Sequence, residues 1–435
     1  MPTILLSVPG LRADDVAAMP SLRGLGDAAV PLRTTLPALT CSTQSTFTTG
    51  TIAAGHGVVA NGFFWRGNPD GKPYDGVEMW TAWSDVVEGD RLWDRFRAAG
   101  KTTAVWFPML AKGVTADFVC TPAPIHNPDG SESLWCYTRP EAMYGELRDR
   151  LGHFPLQHFW GPMASIAGSD WIVDSYVLCA DEYRPDFAMI YLPHLDYAAQ
   201  KDGPDSPAAV AAVAELDAAI GRLRSGCEAA YEEPIVWIVA GEYAITSVDR
   251  VAYPNRILRE AGFLSPAVRE GREFLDPQGQ RAWALCDHQV AHVFVREPGD
   301  VDAVAGVLRS ADIGDVLTGA GRGPLDHERS GEVVLVAEAG SWLAYYWWLD
   351  DTLAPPFARQ VDIHNKPGYD PAEMHVDAAS MSAGTGPTPL DASLIGGSHG
   401  RADAATVLLG PSDVLTEAEY RDTDVMQLVF TASGL

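Results

Sequence analysis

Short, continuous apolar runs recur along this chain, separated by longer stretches with helical spacing, and this pattern most restricts its fold. Thr3 to Val8, Thr103 to Phe107, Phe187 to Leu192 and Pro234 to Ala240 are too uniformly apolar for strands with one face in water. Between them, Asp90 to Ala99 has helical spacing and stops at Gly100, and Ala208 to Ser225 reads as an amphipathic helix. Strands alternating with helices predict an α/β protein with a parallel or mostly parallel sheet. The first run ends in Pro9-Gly10, opening into a loop at the strand end where open α/β sheets collect functional groups.

With 435 residues the chain is long enough for a large single core. Two stretches break the alternation: about 120–170, rich in Pro, Trp and other aromatics, and about 255–389, which holds the cluster Trp342 to Leu349. The expectation is one domain over 1–435, with a cap inserted at the first stretch and a smaller aromatic-rich subregion at the second. The aromatic cluster is expected to be core.

The charge narrows the partners. Against 58 Asp and Glu stand 31 Lys and Arg, a net −27, with no basic run to neutralise a phosphate backbone, so nucleic acid is not an expected partner. No window approaches the length of a membrane span, and the apolar start lacks the cationic flank of a signal peptide, so a cytoplasmic protein is expected. The six cysteines have no C-x-x-C spacing, which argues against a zinc knuckle or a disulfide framework. They read as small buried hydrophobes, with Cys41 of interest because it follows Thr40.

Leu36 to Gly50 places a threonine hydroxyl, Thr40, where a strand-like run meets a helix start made of small residues. That layout presents a nucleophile to a phosphate. Four clusters of ligand-type side chains fall at predicted strand ends: His194-Leu-Asp196, Glu242, Asp287-His288-Gln289 and Gly397-Ser-His399-Gly-Arg401. If the strand before it runs on, His194 and Asp196 share one face. Together these are the nitrogen and oxygen donors that zinc, manganese or iron prefer, predicted at one sheet edge. The segment Val361 to Asp370 adds His364 and Lys366 around a Pro-Gly turn, suited to an anionic substrate, and Arg401 offers a planar fork for a phosphate.

The run Ile4 to Arg12, then Met19 to Leu22, Pro37 to Thr40, Thr49-Gly50, His56-Gly57 and Asn61, resembles the alkaline phosphatase superfamily. Its nearest likeness is to the type I phosphodiesterase/nucleotide pyrophosphatase branch, and Asp196 with Gly203 to Ser206, Val239 to Tyr243 and Gly397 to Gly400 continue the likeness in order. The resemblance implies a three-layer α/β sandwich with a mostly parallel central sheet and helices on both faces. It also implies a phosphodiester or nucleotide-pyrophosphate hydrolase using two metal ions, usually zinc, on a small phosphorylated substrate. It puts Thr40 at the nucleophile, Asn61 at a phosphoryl-oxygen donor, and Asp196 and His399 at two ligands of one metal.

The chain departs from that pattern at three places. Pro9 stands where the family has an aspartate, Gln200 where it has a histidine, and Gly241-Glu242 where it has an Asp-His pair. The leading expectation is a rebuilt centre holding one or two divalent ions among His194, Asp196, Glu242, His288 and His399. The alternatives are the same cleft with non-phosphate metal chemistry, or a binding protein without catalysis.

Overall fold

The computed structural model describes residues 1–126, 132–376, 379 and 387–435. In chain order the principal strands are β1 (Thr3–Val8), β2 (Ala28–Arg33), β3 (Thr103–Trp106), β4 (Phe118–Pro122), β5 (Cys136–Arg139), β6 (Phe187–Tyr191) and β7 (Val236–Gly241). They continue with β8 (Ala282–Asp287), β9 (Val290–Val295), β10 (Gly314–Thr318), β11 (Val333–Ala337), β12 (Thr406–Gly410) and β13 (Tyr420–Arg421). The principal helices are α1 (Thr40–Thr49), α2 (Leu92–Ala98), α3 (Ile166–Tyr183), α4 (His194–Asp202), α5 (Pro207–Ala230) and α6 (Val425–Ser433).

Nine strands form the central sheet in the order β13-β2-β12-β7-β1-β6-β3-β4-β5. The middle strands β7, β1, β6, β3 and β4 run parallel, whereas β12 and β5 run against their neighbours. Register and alternation assign the two faces. Leu5 lies between Met189 and Ile238 and packs with Phe47 of α1, Phe96 of α2 and Phe430 of α6. Leu6 lies between Ile190 and Val239 and packs with Tyr176 of α3 and Leu216 of α5 on the other side. The result is a three-layer α/β sandwich, and the continuous apolar runs are explained by burial on both faces.

The stretch read as a cap begins by contributing β4 and β5 to one edge of this sheet. The aromatic-rich stretch contains a second, four-stranded antiparallel sheet, β8-β9-β11-β10, with its own core. Trp342, Tyr345, Tyr346, Trp347 and Trp348 are all buried there, as expected for core. Residues 127–131, 377–378 and 380–386, within these two stretches, lie outside the described residues. All six cysteines are free and buried. Among the described residues, no helix is long and apolar enough to cross a membrane.

Candidate active site

The site forms where β1, β6 and β7 end and the β8–β9 turn of the second sheet comes down on them. Thr40 is the first residue of α1, preceded by Leu39 in extended conformation, so its hydroxyl sits at the mouth of the sheet. The left-handed Gly400 (φ +125°) lets the His399 loop pass close by, its carbonyl accepting the Ala38 N–H at 3.0 Å. A β-carbon at Gly400 would come 3.1 Å from the Gln289 backbone nitrogen, so the close approach requires glycine.

Tyr243, two residues past β7, organises the floor. Its hydroxyl is 2.8 Å from Thr40 Oγ1 and 3.4 Å from Asp196 Oδ1. Its ring lies flat on His399, centroids 3.7 Å apart with planes 5° from parallel. His399 packs on His288 at 3.9 Å, and His288 stacks on Tyr369 at 3.8 Å. Four rings from four distant segments therefore make one column. Burial holds the Tyr243 phenol well above its usual range, so it keeps its proton, and burial with the neighbouring His288 keeps His399 neutral.

Asp196 is buried, and burial pushes its pKa up to about 6 against hydrogen bonds from Gln200 and Tyr243. Glu242 is closed in: its Oε1 accepts from Ser7 Oγ at 2.6 Å and Gln44 Nε2 at 2.7 Å, and Gln44 Oε1 accepts from the Met109 N–H. Burial pushes Glu242 up to about 8, so its carboxyl is neutral at pH 7, the form least costly to bury.

The other expected residues fall as follows. His194 and Asp196 were expected on one face of an extended strand. The chain instead turns into α4 at His194, and the helix sends the two side chains apart. His194 Nε2 meets Glu215 of α5 at 2.7 Å, away from Asp196. His288 holds Asp287 through Nδ1 at 2.7 Å. Asn61 lies beside Thr40 and is partly committed, one of its two amide hydrogens being left over. Its Oδ1 accepts the Cys41 N–H at 3.0 Å, and its Nδ2 donates to Asp287 at 3.2 Å. Lys366 is buried between Asp370 (2.9 Å) and Glu373 (2.6 Å). Arg401 is tied to Asp403 and the Ala337 carbonyl. His364 lines the cleft and donates from Nδ1 to the Met79 carbonyl at 3.2 Å.

Two buried atoms without a hydrogen-bond partner, His399 Nε2 and Glu242 Oε2, have the chemistry of metal ligands. The rest of the donor set does not. Among the described residues, no three His, Cys, Asp or Glu side chains converge as a cage. Pro9 offers no donor. Gln200 Oε1 is taken by the Tyr369 hydroxyl at 2.8 Å. A β-carbon at Gly241 would fall inside contact distance of Thr406 Oγ1, which is fixed by its bond to the Leu11 carbonyl, so no aspartate fits there. The space between Thr40, Asp196 and His399 holds the tyrosine. The residues present do not fit the family's metal pair.

Above this floor opens a cleft of about 840 Å³, walled by Trp80, Trp83, Phe107, Tyr191, Tyr197 and Tyr369, with Thr40 and Asp196 at its base. Trp80, Phe107 and Leu110 on its wall have φ of +58°, +66° and +54°. Bulky residues held in the left-handed region collect where function fixes the backbone. The sequence reading missed Tyr243 as a site residue, and its signal was only its place directly after Glu242 at a strand mouth.

No curated protein matches the sequence. Among solved structures, phosphonoacetate hydrolase from Sinorhizobium meliloti 1021, in complex with phosphonoformate, is similar at TM-score 0.62 and 16% identity, covering 100% of this chain and 96% of that one. Murine ectonucleotide pyrophosphatase/phosphodiesterase 5 is similar at 0.58 and 15%, covering 100% and 95%. An inactive form of the murine protein in complex with AMP gives 0.59, 15%, 100% and 95%. At this identity these establish a shared fold. Residues 3–370 match the family described as type I phosphodiesterase/nucleotide pyrophosphatase, and the chain belongs to that family of hydrolytic enzymes.

Proposed function

We propose that this protein hydrolyses a phosphodiester bond in a small, aromatic-bearing molecule, with Thr40 as the nucleophile. The observation that carries this reading is the Thr40 hydroxyl at the base of an aromatic-walled cleft, hydrogen-bonded to a second hydroxyl. The first residue of α1 also has the partial positive charge of a helix N-terminus beside it, which favours an anion.

The walls argue for a substrate with one negative charge rather than a pyrophosphate chain. Glu78, Asp196, Asp362, Asp370 and Glu373 line the cleft against three lysines: Lys112 on its wall, Lys72 paired with Glu78, and Lys366 paired with Asp370 and Glu373, which leaves acid in excess. A polyanion would meet net repulsion there. A phosphodiester carries one charge and presents its substituents to the rings, where stacking adds to burial. For a metal-dependent route through a rebuilt centre, the leading expectation from sequence, no cage of three ligand-type side chains is found among the described residues, so this reading is built on the chain's own hydroxyl and carboxylate groups.

A second reading is a cleft that binds such a molecule without turning it over. It is favoured by Asn61, whose Oδ1 is taken by the Cys41 N–H and one of whose two Nδ2 hydrogens is taken by Asp287, which leaves a single N–H for a phosphoryl oxygen. Nitrophenol release from bis(4-nitrophenyl) phosphate separates the two. Turnover that is lost in Thr40→Ala and partly kept in Thr40→Ser supports the hydrolase. Saturable binding without turnover supports the second reading.

A further inference from the structure

The place between Thr40, Asp196 and His399 is filled by a side chain, and this has a chemical consequence. The Tyr243 hydroxyl touches Thr40 Oγ1 at 2.8 Å and lies 3.4 Å from Asp196 Oδ1, while its ring covers His399 at 3.7 Å. Nothing about this arrangement is loose. Tyr243 is 1% exposed, and its own carbonyl accepts the Gly10 N–H at 3.0 Å, which ties it to the end of β1. The neighbouring carboxyl is engaged as well, because Glu242 Oε1 accepts from both Ser7 and Gln44.

We propose that Tyr243 stands in place of a metal ion in this family member, with its hydroxyl as the catalytic group that takes the proton from Thr40 and passes its own to Asp196. This rests on the phosphodiester reading above. As Thr40 Oγ bonds to phosphorus, the bond from phosphorus to the leaving oxygen breaks, and its electron pair departs with the leaving group. The Thr40 proton moves to the Tyr243 oxygen while the Tyr243 proton moves to Asp196, so one proton is transferred in total. In the second half water attacks phosphorus and the Thr40 oxygen leaves. It regains a proton from Asp196 through Tyr243, and the proton shed by water reaches the departed leaving group through solvent. Hydrogen-bond contact between nucleophile and carrier, and between carrier and carboxylate, is the geometry such a transfer needs.

The test uses the full-length protein and two independent readouts. Calorimetric titration of dialysed protein with zinc and with manganese is expected to give no stoichiometric binding, and turnover of bis(4-nitrophenyl) phosphate is expected to be unchanged by a chelator. Tyr243→Phe, which keeps the ring column but removes the hydroxyl, is expected to lower kcat about 100-fold with KM within about twofold, the range for one lost proton-transfer group. Stoichiometric zinc binding that disappears in His399→Ala overturns this inference and leaves the phosphodiesterase reading standing. So does a Tyr243→Phe protein with wild-type kcat. A wild-type protein inactive on the diester overturns both.

Discussion

The Tyr243 ring lies face to face on His399, centroids 3.7 Å apart and planes 5° from parallel, although 156 positions of sequence separate them (399 minus 243). That contact shields the imidazole whose Nε2 is otherwise buried without a partner, and it aims the phenol at Thr40.

Gly241→Asp restores the family's carboxylate in name only. The new side chain meets Thr406, whose hydroxyl is committed to Leu11. Overpacking of this kind costs about 1–3 kcal/mol. Chemical denaturation should show that loss, and the double variant Gly241→Asp/Thr406→Ala should be less destabilised than the sum of the two singles. Strict additivity would show that the two positions do not clash.

Lys366→Met leaves Asp370 and Glu373 facing each other in the core with no cation between them. Burial works against the Lys366 ammonium, but the two carboxylates outweigh it and hold its pKa above the ordinary value. Removing one member of a buried ion cluster costs about 3–5 kcal/mol. Urea unfolding at pH 7 measures this, and a loss below about 1 kcal/mol would contradict the role assigned to the ammonium.

Trp83→Ala trims the wall of the cleft without touching its floor. Trp83 is half exposed, and Lys112 lies over its ring at 4.4 Å. Loss of one stacking surface should raise KM for an aromatic phosphodiester about tenfold and leave kcat within about twofold. A fall in kcat with KM unchanged would place this tryptophan in the chemistry instead.

Acid should destabilise the fold through buried neutral histidines. Burial depresses His292 to about 4 and His56 to about 3. The unfolded chain binds these protons near pH 6.5, so the folded state holds fewer protons below that pH. Stability is therefore full above about pH 6.5 and falls as pH drops toward about 4, by about 1.4 kcal/mol per pH unit for each group. In the folded protein His292 Nε2 donates to the Val59 carbonyl at 3.1 Å and Nδ1 accepts the Gly331 N–H at 3.2 Å. His292→Gln should flatten the acid limb of the stability curve by one proton. An unchanged slope would show that His292 is not one of the groups responsible.

Much of the scaffold was legible in the chain itself. The runs at Thr3, Thr103, Phe187 and Pro234 became the parallel middle of the central sheet, because strands buried on both faces must be apolar at every position, and that requirement is local. The start of α1 at Thr40 was equally local. The strands β2 and β12 escaped notice, since their pairing joins residues from opposite ends of the chain, as in Ala28 with Gly410.

The sequence by itself therefore determined the layers, the family and the position of Thr40, because each follows from a short pattern of side chains. Tertiary structure alone decided what surrounds Thr40. His194 left the site because one helical turn, rather than a strand, sends residues two apart in different directions. Tyr243 entered it because β1, β7 and the His399 loop bring four rings from four segments into one column. Whether a ligand-type residue reaches a common point depends on contacts between distant segments, and no spacing along the chain records those.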